Sequence, residues 1–167
     1  MIIKNGTHAV TAALITASVL SAGLVLAPSA EAATTITTAI TFARAQIGDK
    51  YSQVNPQGPN HWDCSGLMQA SYKKAGKSIP RTAATQYNSS KIKHVSYASR
   101  KPGDLVFFKS HGSVYHVGIY VGVKYDKLYR KNKNEMINAP SYGKKVRQEA
   151  IYANWSSNSA ISFGRVK

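Results

Sequence analysis

Cys64 is the one cysteine in 167 residues. It stands in Asp63-Cys64-Ser65-Gly66-Leu67, where a stretch rich in Asn, Pro and Gly gives way to a helical pattern. A sulfur in the first turn of a helix meets unpaired N–H groups and the positive end of the dipole, which favour thiolate over thiol. The chemistry this allows is nucleophilic attack. The alternative is a small buried hydrophobe, the usual fate of a free cysteine. A thiol nucleophile needs a base, and His61, His94, His111 and His116 are available. His116 lies in the apolar run Val114–Gly122, with Tyr115 and Val117 pointing to the opposite face. As a base it is a rigidly held imidazole facing the Cys64 helix; as scaffold it is a ring satisfied by a backbone carbonyl. His61 falls in a loop, His111 in a Ser-His-Gly-Ser turn, and His94 after a lysine-rich stretch, so these three are expected away from the chemistry. A third group that fixes the far ring nitrogen has to come from a neighbouring strand. Asn138, in Met-Ile-Asn-Ala-Pro, offers an amide oxygen without added charge, and equally it starts a turn before Pro140. No metal or other cofactor is expected: the histidines lack spacing such as His-Glu-x-x-His, and there is no second cysteine.

The elements that must position these groups follow from periodicity. Ile36, Ile40, Ala43 and Ile47 recur at helical spacing over Thr34–Ile47, with Gly48 at the C-terminal cap. Pro56, Gly58 and Pro59 mark a loop from Asp49 to Trp62 that contains Tyr51. Leu67, Met68, Tyr72 and Ala75 make the apolar stripe of a second helix, with Asp63 as N-cap and Gly76 as terminator. A turn at Ile79-Pro80-Arg81-Thr82 leads to a shorter helix near Ala83–Ser90. After the Lys101-Pro102-Gly103-Asp104 turn the period changes, and Leu105–Lys109, Val114–Gly122, Met136–Asn138, Val146–Ile151 and Ile161–Val166 read as strands. Helices first and strands later predict an α+β fold, with N-terminal helices packed on an antiparallel sheet and the cysteine at a helix N-terminus.

The start of the chain reads differently. Lys4 precedes a stretch without charge from Asn5 to Ala30, mostly apolar over Ala12–Ala27, and Ala30-Glu31-Ala32 supplies the small residues of a signal-peptidase site. Residues 1–32 are therefore expected to be a signal peptide, with a retained membrane anchor as the alternative, and residues 33–167 one domain. The expected location is secreted or extracellular, where a lone cysteine is either inert or kept for its chemistry. The formal net charge is +15, with its densest cluster at Lys124–Lys133. A basic secreted domain meets polyanions. Nucleic acid is not the expected one, because zinc-finger spacing and an RNA-binding aromatic signature are both missing.

Four blocks in order, Asp63-Cys64-Ser65-Gly66-Leu67, Ile79-Pro80-Arg81-Thr82, Pro102-Gly103-Asp104-Leu105-Val106-Phe107-Phe108 and His116-Val117-Gly118-Ile119-Tyr120-Val121-Gly122, resemble the NlpC family of secreted papain-like cysteine peptidases. The resemblance covers essentially residues 33–167. It implies a papain-like fold and cleavage of peptidoglycan stem peptides, commonly between D-γ-glutamyl and a diamino acid. It makes Cys64 the nucleophile, His116 the base and Asn138 the third polar residue. Tyr51 falls where the family has a tyrosine beside the active site, and Asp63 and Ser65 are implied to help bind a free substrate amine, with a helix cap and a helix-start residue as their equal alternatives; Arg81 is read as lining the cleft or, equally, as a surface arginine in a turn. Two features depart from the pattern: the third residue is most often His, and the Gly122–Glu135 hairpin is longer than usual and basic. That hairpin is expected to bind anionic wall polymers, and the protein to act as a monomer. An N-acetylmuramoyl-L-alanine amidase or a thiol acyltransferase of the same fold, or a non-catalytic cationic wall-binding protein, are the competing readings.

Overall fold

The computed structural model describes residues 30–127, 130–151 and 159–167. The apolar run expected to be a leader lies outside the described residues, while Ala30-Glu31-Ala32 forms the first turn of helix α1, Ala30–Ala45. This helix begins earlier and ends earlier than its Ile pattern suggested. Ala39 and Ala43 are its buried residues, and Gly48, at φ +103°, turns the chain three residues beyond its end. Two short parallel strands follow, β1 (Lys50–Tyr51) and β2 (His61–Trp62), in the stretch expected to be all loop. Two residues per strand carry no period a sequence pattern could reveal.

Helix α2, Cys64–Lys74, starts where expected, and α3, Ala83–Tyr87, is shorter than expected. Thr82 caps α3 through a reciprocal pair with Thr85, which satisfies two of the donors a helix start leaves open. The strands are β3 (Ile92–Val95), β4 (Leu105–Ser110), β5 (Ser113–Asp126), β6 (Lys131–Asn138), β7 (Arg147–Ala150) and β8 (Ser159–Val166). They form one antiparallel six-stranded sheet in the order β3-β8-β4-β5-β6-β7. Strand β3 was not expected; it is four residues long with two exposed, and it is held by pairing with β8 rather than by its own pattern. The β5–β6 hairpin continues as a ribbon through the basic stretch, beyond the apolar run that marked β5.

Each face of the sheet carries its own apolar cluster. Leu105, Phe107, Val117, Ile119 and Ile137 pack against Ala39, Ala43, Leu67, Met68 and Tyr72 of the helices. Val106, Phe108, Tyr120, Met136 and Phe163 cover the other face, where Tyr97 stands edge-on to Phe163 at 5.9 Å. Full burial of a side chain of this size is worth roughly 1.5–3 kcal/mol, so the helix–sheet contact gives α2 a rigid seat. The fold is α+β, as the order of helices and strands predicted.

Candidate active site

The start of α2 is fixed from three sides. Asp63 caps it: its Oδ1 accepts from the Gly66 N–H at 2.6 Å. The Asp63 N–H donates to the Pro56 carbonyl at 3.1 Å, and a Cβ on Gly66 would run into that same carbonyl, so only glycine lets the Pro56 loop lie against the helix. Gln86, fully buried on α3, donates to the Ser65 and Pro80 carbonyls at 2.9 Å each. It ties the first turn of α2 to the Ile79-Pro80-Arg81 turn. With Gly66 capped by Asp63, the Cys64 and Ser65 N–H groups are the first-turn donors that an α-helix leaves without an internal partner. Burial pushes the Cys64 thiol up; hydrogen bonds from the backbone of Val117 and of Ser65 oppose that by favouring the thiolate.

His116 is buried on β5 just after the bulge that shifts register beside Phe108 and Lys109. Val117, one residue on, packs in the helix-facing core with Cys64 and Leu67. His116 turns to the other face against Phe108, with ring centroids 5.5 Å apart, and it and Cys64 both line one cleft. Its Nε2 lies 3.0 Å from Asn138 Oδ1. Asn138, fully buried on β6, donates from Nδ2 to Glu149 Oε1 on β7 at 2.8 Å. Glu149 Oε2 in turn pairs with Arg147 Nη2 at 2.8 Å.

This chain of contacts fixes a tautomer. An ionised carboxylate only accepts, so Glu149 holds the Asn138 amide with its nitrogen toward β7 and its oxygen toward His116. His116 Nε2 must then carry the hydrogen, which leaves Nδ1 as the basic nitrogen. Gly118 makes the crossing possible. A Cβ there would sit 2.9 Å from Met136 Sδ and 3.1 Å from Asn138 Cβ, so both neighbours would have to give way. Burial lowers the imidazole to about 4, against the opposing effects of the Asn138 hydrogen bond and the Glu149 charge. Burial thus acts on Cys64 and His116 in the same sense: the unliganded site favours thiol beside neutral imidazole.

Cys64 lies between two open clefts. On the His116 side, a cleft of ≈ 410 Å³ is lined by Tyr51, Tyr115, Pro140, Ser141, Lys144 and Arg147. On the other side, one of ≈ 480 Å³ is lined by Tyr51, Asp63, Ser65, Arg81, Thr82 and Tyr115, among others. Both fall in the roughly 300–1,000 Å³ range of ligand pockets. The cleft walls thus bring Tyr51, Asp63, Ser65 and Arg81 together around Cys64, with Asn138 buried behind His116. Tyr51 serves both clefts, and burial raises its phenol so that it stays a donor. Asp63, Ser65 and Arg81 form a mutually satisfied group: Arg81 Nη2 meets Asp63 Oδ2 at 2.6 Å, and Arg81 Nη1 reaches Asp63 Oδ1 at 3.1 Å and Ser65 Oγ at 3.0 Å. Asp63 is thus a helix cap and an ion-pair partner before it is anything else. A smaller, separate pocket lies against Ile36, Tyr72 and Arg165. Of the two acidic residues that line it, Asp104 is buried and already paired with Arg165, and Glu31 is exposed on α1.

Among the described residues, the other histidines are elsewhere. His61 sits on β2 with Nδ1 3.3 Å from the Pro59 carbonyl, His94 is exposed on β3 against Tyr87, and His111 occupies a turn at φ +50°. In the hairpin, Lys124, Lys127, Arg130 and Lys131 are exposed. Lys133 is not part of that free charge, because it pairs with Asp126 at 2.7 Å and its side chain is only 9% exposed. Glu149, Gln86, Gly118, Lys144 and Arg147 were not singled out from the sequence. Alternation along β7 does place Arg147 and Glu149 on one face, but only the register Asn138↔Arg147 puts them beside the third polar residue.

Residues 48–165 match the model of the NlpC/P60 family. Over 127 residues the chain is 38% identical to the "Probable endopeptidase p60" of Listeria monocytogenes, covering 76% of this chain and 23% of that protein. It is 33% identical over 126 residues to the "Bifunctional muramidase/DL-endopeptidase CwlT" of Bacillus subtilis, covering 72% of this chain and 33% of the relative. The chain thus spans a third or less of the length of these two relatives. Among solved structures, the peptidoglycan hydrolase RipB of Mycobacterium tuberculosis superposes with a TM-score of 0.65 at 27% identity, over 84% of this chain and 69% of that one. RipD of the same organism, titled a non-catalytic NlpC/p60 domain protein, shares the fold at 22% identity and a TM-score of 0.59, over 80% of this chain and 98% of that one. The architecture is papain-like, the start of α2, the turn before α3, β4 and β5 carry the motifs, and the matched span holds both clefts: the chain belongs to the NlpC/P60 family.

Proposed function

We propose that this protein is a secreted thiol endopeptidase that cleaves peptidoglycan stem peptides at the bond between D-γ-glutamyl and a diamino acid. The observation that carries the reading is the oriented chain His116–Asn138–Glu149 opening into one cleft with Cys64. Its geometry supports a nucleophile, a base whose basic nitrogen is Nδ1, and a group that fixes the tautomer. The activity named for CwlT supports the choice of a D–L bond.

In this mechanism His116 Nδ1 takes the Cys64 proton as the sulfur attacks the scissile carbonyl. Burial disfavours a standing ion pair, so proton transfer accompanies attack, and the Val117 N–H helps to hold the charge on sulfur. The tetrahedral oxyanion is stabilised by the Cys64 and Ser65 N–H groups, which the first turn of α2 leaves outside its own ladder, with the Tyr51 hydroxyl on the cleft wall as a further donor. Collapse breaks the C–N bond, the amine leaves with the proton from His116, and a thioester remains on Cys64. Water, deprotonated by His116, then attacks the thioester and returns the proton to the thiolate. On the acyl side, Asp63 Oδ2 accepts from Arg81 and a carboxylate oxygen can accept a second donor, which suits a substrate with a free amine near the scissile bond. The exposed hairpin lysines and arginine, with the overall excess of positive charge, would hold the enzyme on anionic wall polymers.

The test is digestion of purified peptidoglycan by the protein and by Cys64→Ala, with fragments read by mass spectrometry. A new amino terminus on the diamino acid, absent from the Cys64→Ala digest, is the expected result. Freed lactyl-ether sugars with intact peptides would make it an amidase, and identical digests from both proteins would end the thiol-enzyme reading.

A further inference from the structure

The two clefts that meet at Cys64 differ in charge. On the Asp63 side the carboxylate and the Arg81 guanidinium neutralise each other at 2.6 Å. On the His116 side the lining contains two cations, Lys144 and Arg147, and no carboxylate. Lys144 is exposed and, among the described residues, has no ion-pair partner. Arg147 is half-exposed and holds Glu149 through Nη2, behind the cleft wall. Its Nε–H is buried without an acceptor, so this guanidinium is under-satisfied where it stands. The backbone holds both residues in place: the Tyr51 N–H donates to the Lys144 carbonyl at 3.0 Å, the Lys144 N–H donates to Ser141, and Arg147 is locked in the β6–β7 register opposite Asn138.

The leaving amine must depart toward the proton on His116, so the part of the substrate beyond the scissile bond lies in this cationic cleft. We propose that Lys144 and Arg147 form a subsite for a carboxylate carried by the leaving part of the stem peptide, and so select substrates whose leaving fragment is anionic. The proposal rests on the endopeptidase reading above. The carboxylate has two possible sources with the same chemistry: the second carboxyl group of a diamino diacid such as diaminopimelate, or the peptide's own C-terminus. A guanidinium and an ammonium on one wall suit either, since Arg offers planar paired donors and Lys a mobile point charge.

The experiment uses four soluble peptides with a γ-D-glutamyl bond. The leaving residue is diaminopimelate or lysine, each with the C-terminus as acid or amide. Steady-state kinetics are measured for the full chain, Lys144→Gln, Arg147→Gln, Arg147→Lys and, as a control at the opposite sheet edge, the exposed Lys93→Gln on β3. Loss of a charge-assisted contact predicts a preference for the carboxylate-bearing peptide of roughly ten- to a hundredfold in kcat/KM, expressed mainly in KM. That preference should shrink toward unity in Lys144→Gln and Arg147→Gln and persist in Lys93→Gln. Arg147→Lys keeps a cation and should retain part of it, even where Arg147→Gln folds poorly. Which peptide shows the preference identifies the source of the carboxylate. Equal rates on all four peptides, a preference that survives both Gln variants, or an equal loss in Lys93→Gln would overturn the subsite. If none of the four peptides is cleaved by the full chain, it is the endopeptidase reading that fails instead.

Discussion

Replacing Glu149 with glutamine changes one oxygen for one nitrogen, yet the structure predicts a large effect. Glu149 stands between two groups with fixed demands. Arg147 only donates, and it meets Oε2 at 2.8 Å; Asn138 Nδ2 donates to Oε1 at 2.8 Å. In Glu149→Gln a single carbonyl oxygen has to serve both. A hydrogen bond to a charged partner is worth about 1.5–3 kcal/mol, against about 1 kcal/mol for a neutral one. The Gln oxygen therefore turns to Arg147 and its NH₂ faces Asn138. The Asn138 amide then flips and presents its own NH₂ to His116 Nε2, which selects the tautomer with the hydrogen on Nδ1, so the basic nitrogen points the wrong way. A bias of about 1–2 kcal/mol corresponds to a loss of roughly five- to thirtyfold in kcat with little change in KM. Glu149→Ala, which imposes no wrong orientation, should be less harmful to kcat per folded molecule. Two further readouts separate this role from mere support of the fold. ¹⁵N shifts of the His116 ring should show the hydrogen on Nε2 in the parent and on Nδ1 in Glu149→Gln. Because the Glu149 charge raises the His116 pKa, its removal should move the acid limb of the kcat profile to lower pH. An enzyme with Glu149→Gln that keeps parental kcat and the Nε2–H tautomer would refute the reasoning.

Four further outcomes are expected. Asn138→Ala should lower kcat less than His116→Ala, which removes acid–base help typically worth ~10²–10⁴-fold; Asn138→His should retain substantial activity, since a ring can accept from His116 and donate to Glu149, and turnover of a soluble stem peptide by the three variants checks the order. Gly118→Ala should lower both activity and the denaturant midpoint by pushing on Met136 and Asn138, whereas parental values in both would show that the strands yield. Because folding lowers His116 from 6.5 to about 4, the unfolded chain binds its proton first as pH falls. The corresponding stability is fully present above pH 6.5 and is lost toward pH 4, by up to ~3 kcal/mol; urea midpoints across that window should fall more steeply for the parent than for His116→Asn. Adsorption to intact walls should weaken with salt and in Lys127→Gln/Arg130→Gln/Lys131→Gln, while hydrolysis of a small peptide persists; Lys133→Gln should instead destabilise the hairpin, because that lysine is held by Asp126.

The parts that depend on local chemistry were legible along the chain. Asp63 ahead of an apolar helical stripe set the start of α2 and put Cys64 in its first turn. The change of period after Asp104 announced the sheet, and a histidine inside an apolar strand marked itself as unusual. What the sequence could not provide is register. Asn138, Arg147 and Glu149 belong to two short strands, and their meeting depends on which residue of β7 lies across from which of β6. A shift of one residue there would have reversed every side chain. The same holds for Gln86, an ordinary residue in a five-residue helix until tertiary packing buries it against the Ser65 and Pro80 carbonyls. It holds also for Lys144 and Arg147, two of many basic residues until the cleft wall sets them beside His116. Local pattern names the reacting groups because their chemistry is carried by residue type. Tertiary structure decides orientation and charge around them, because hydrogen bonds and Coulomb forces depend on distances that only the packed chain fixes.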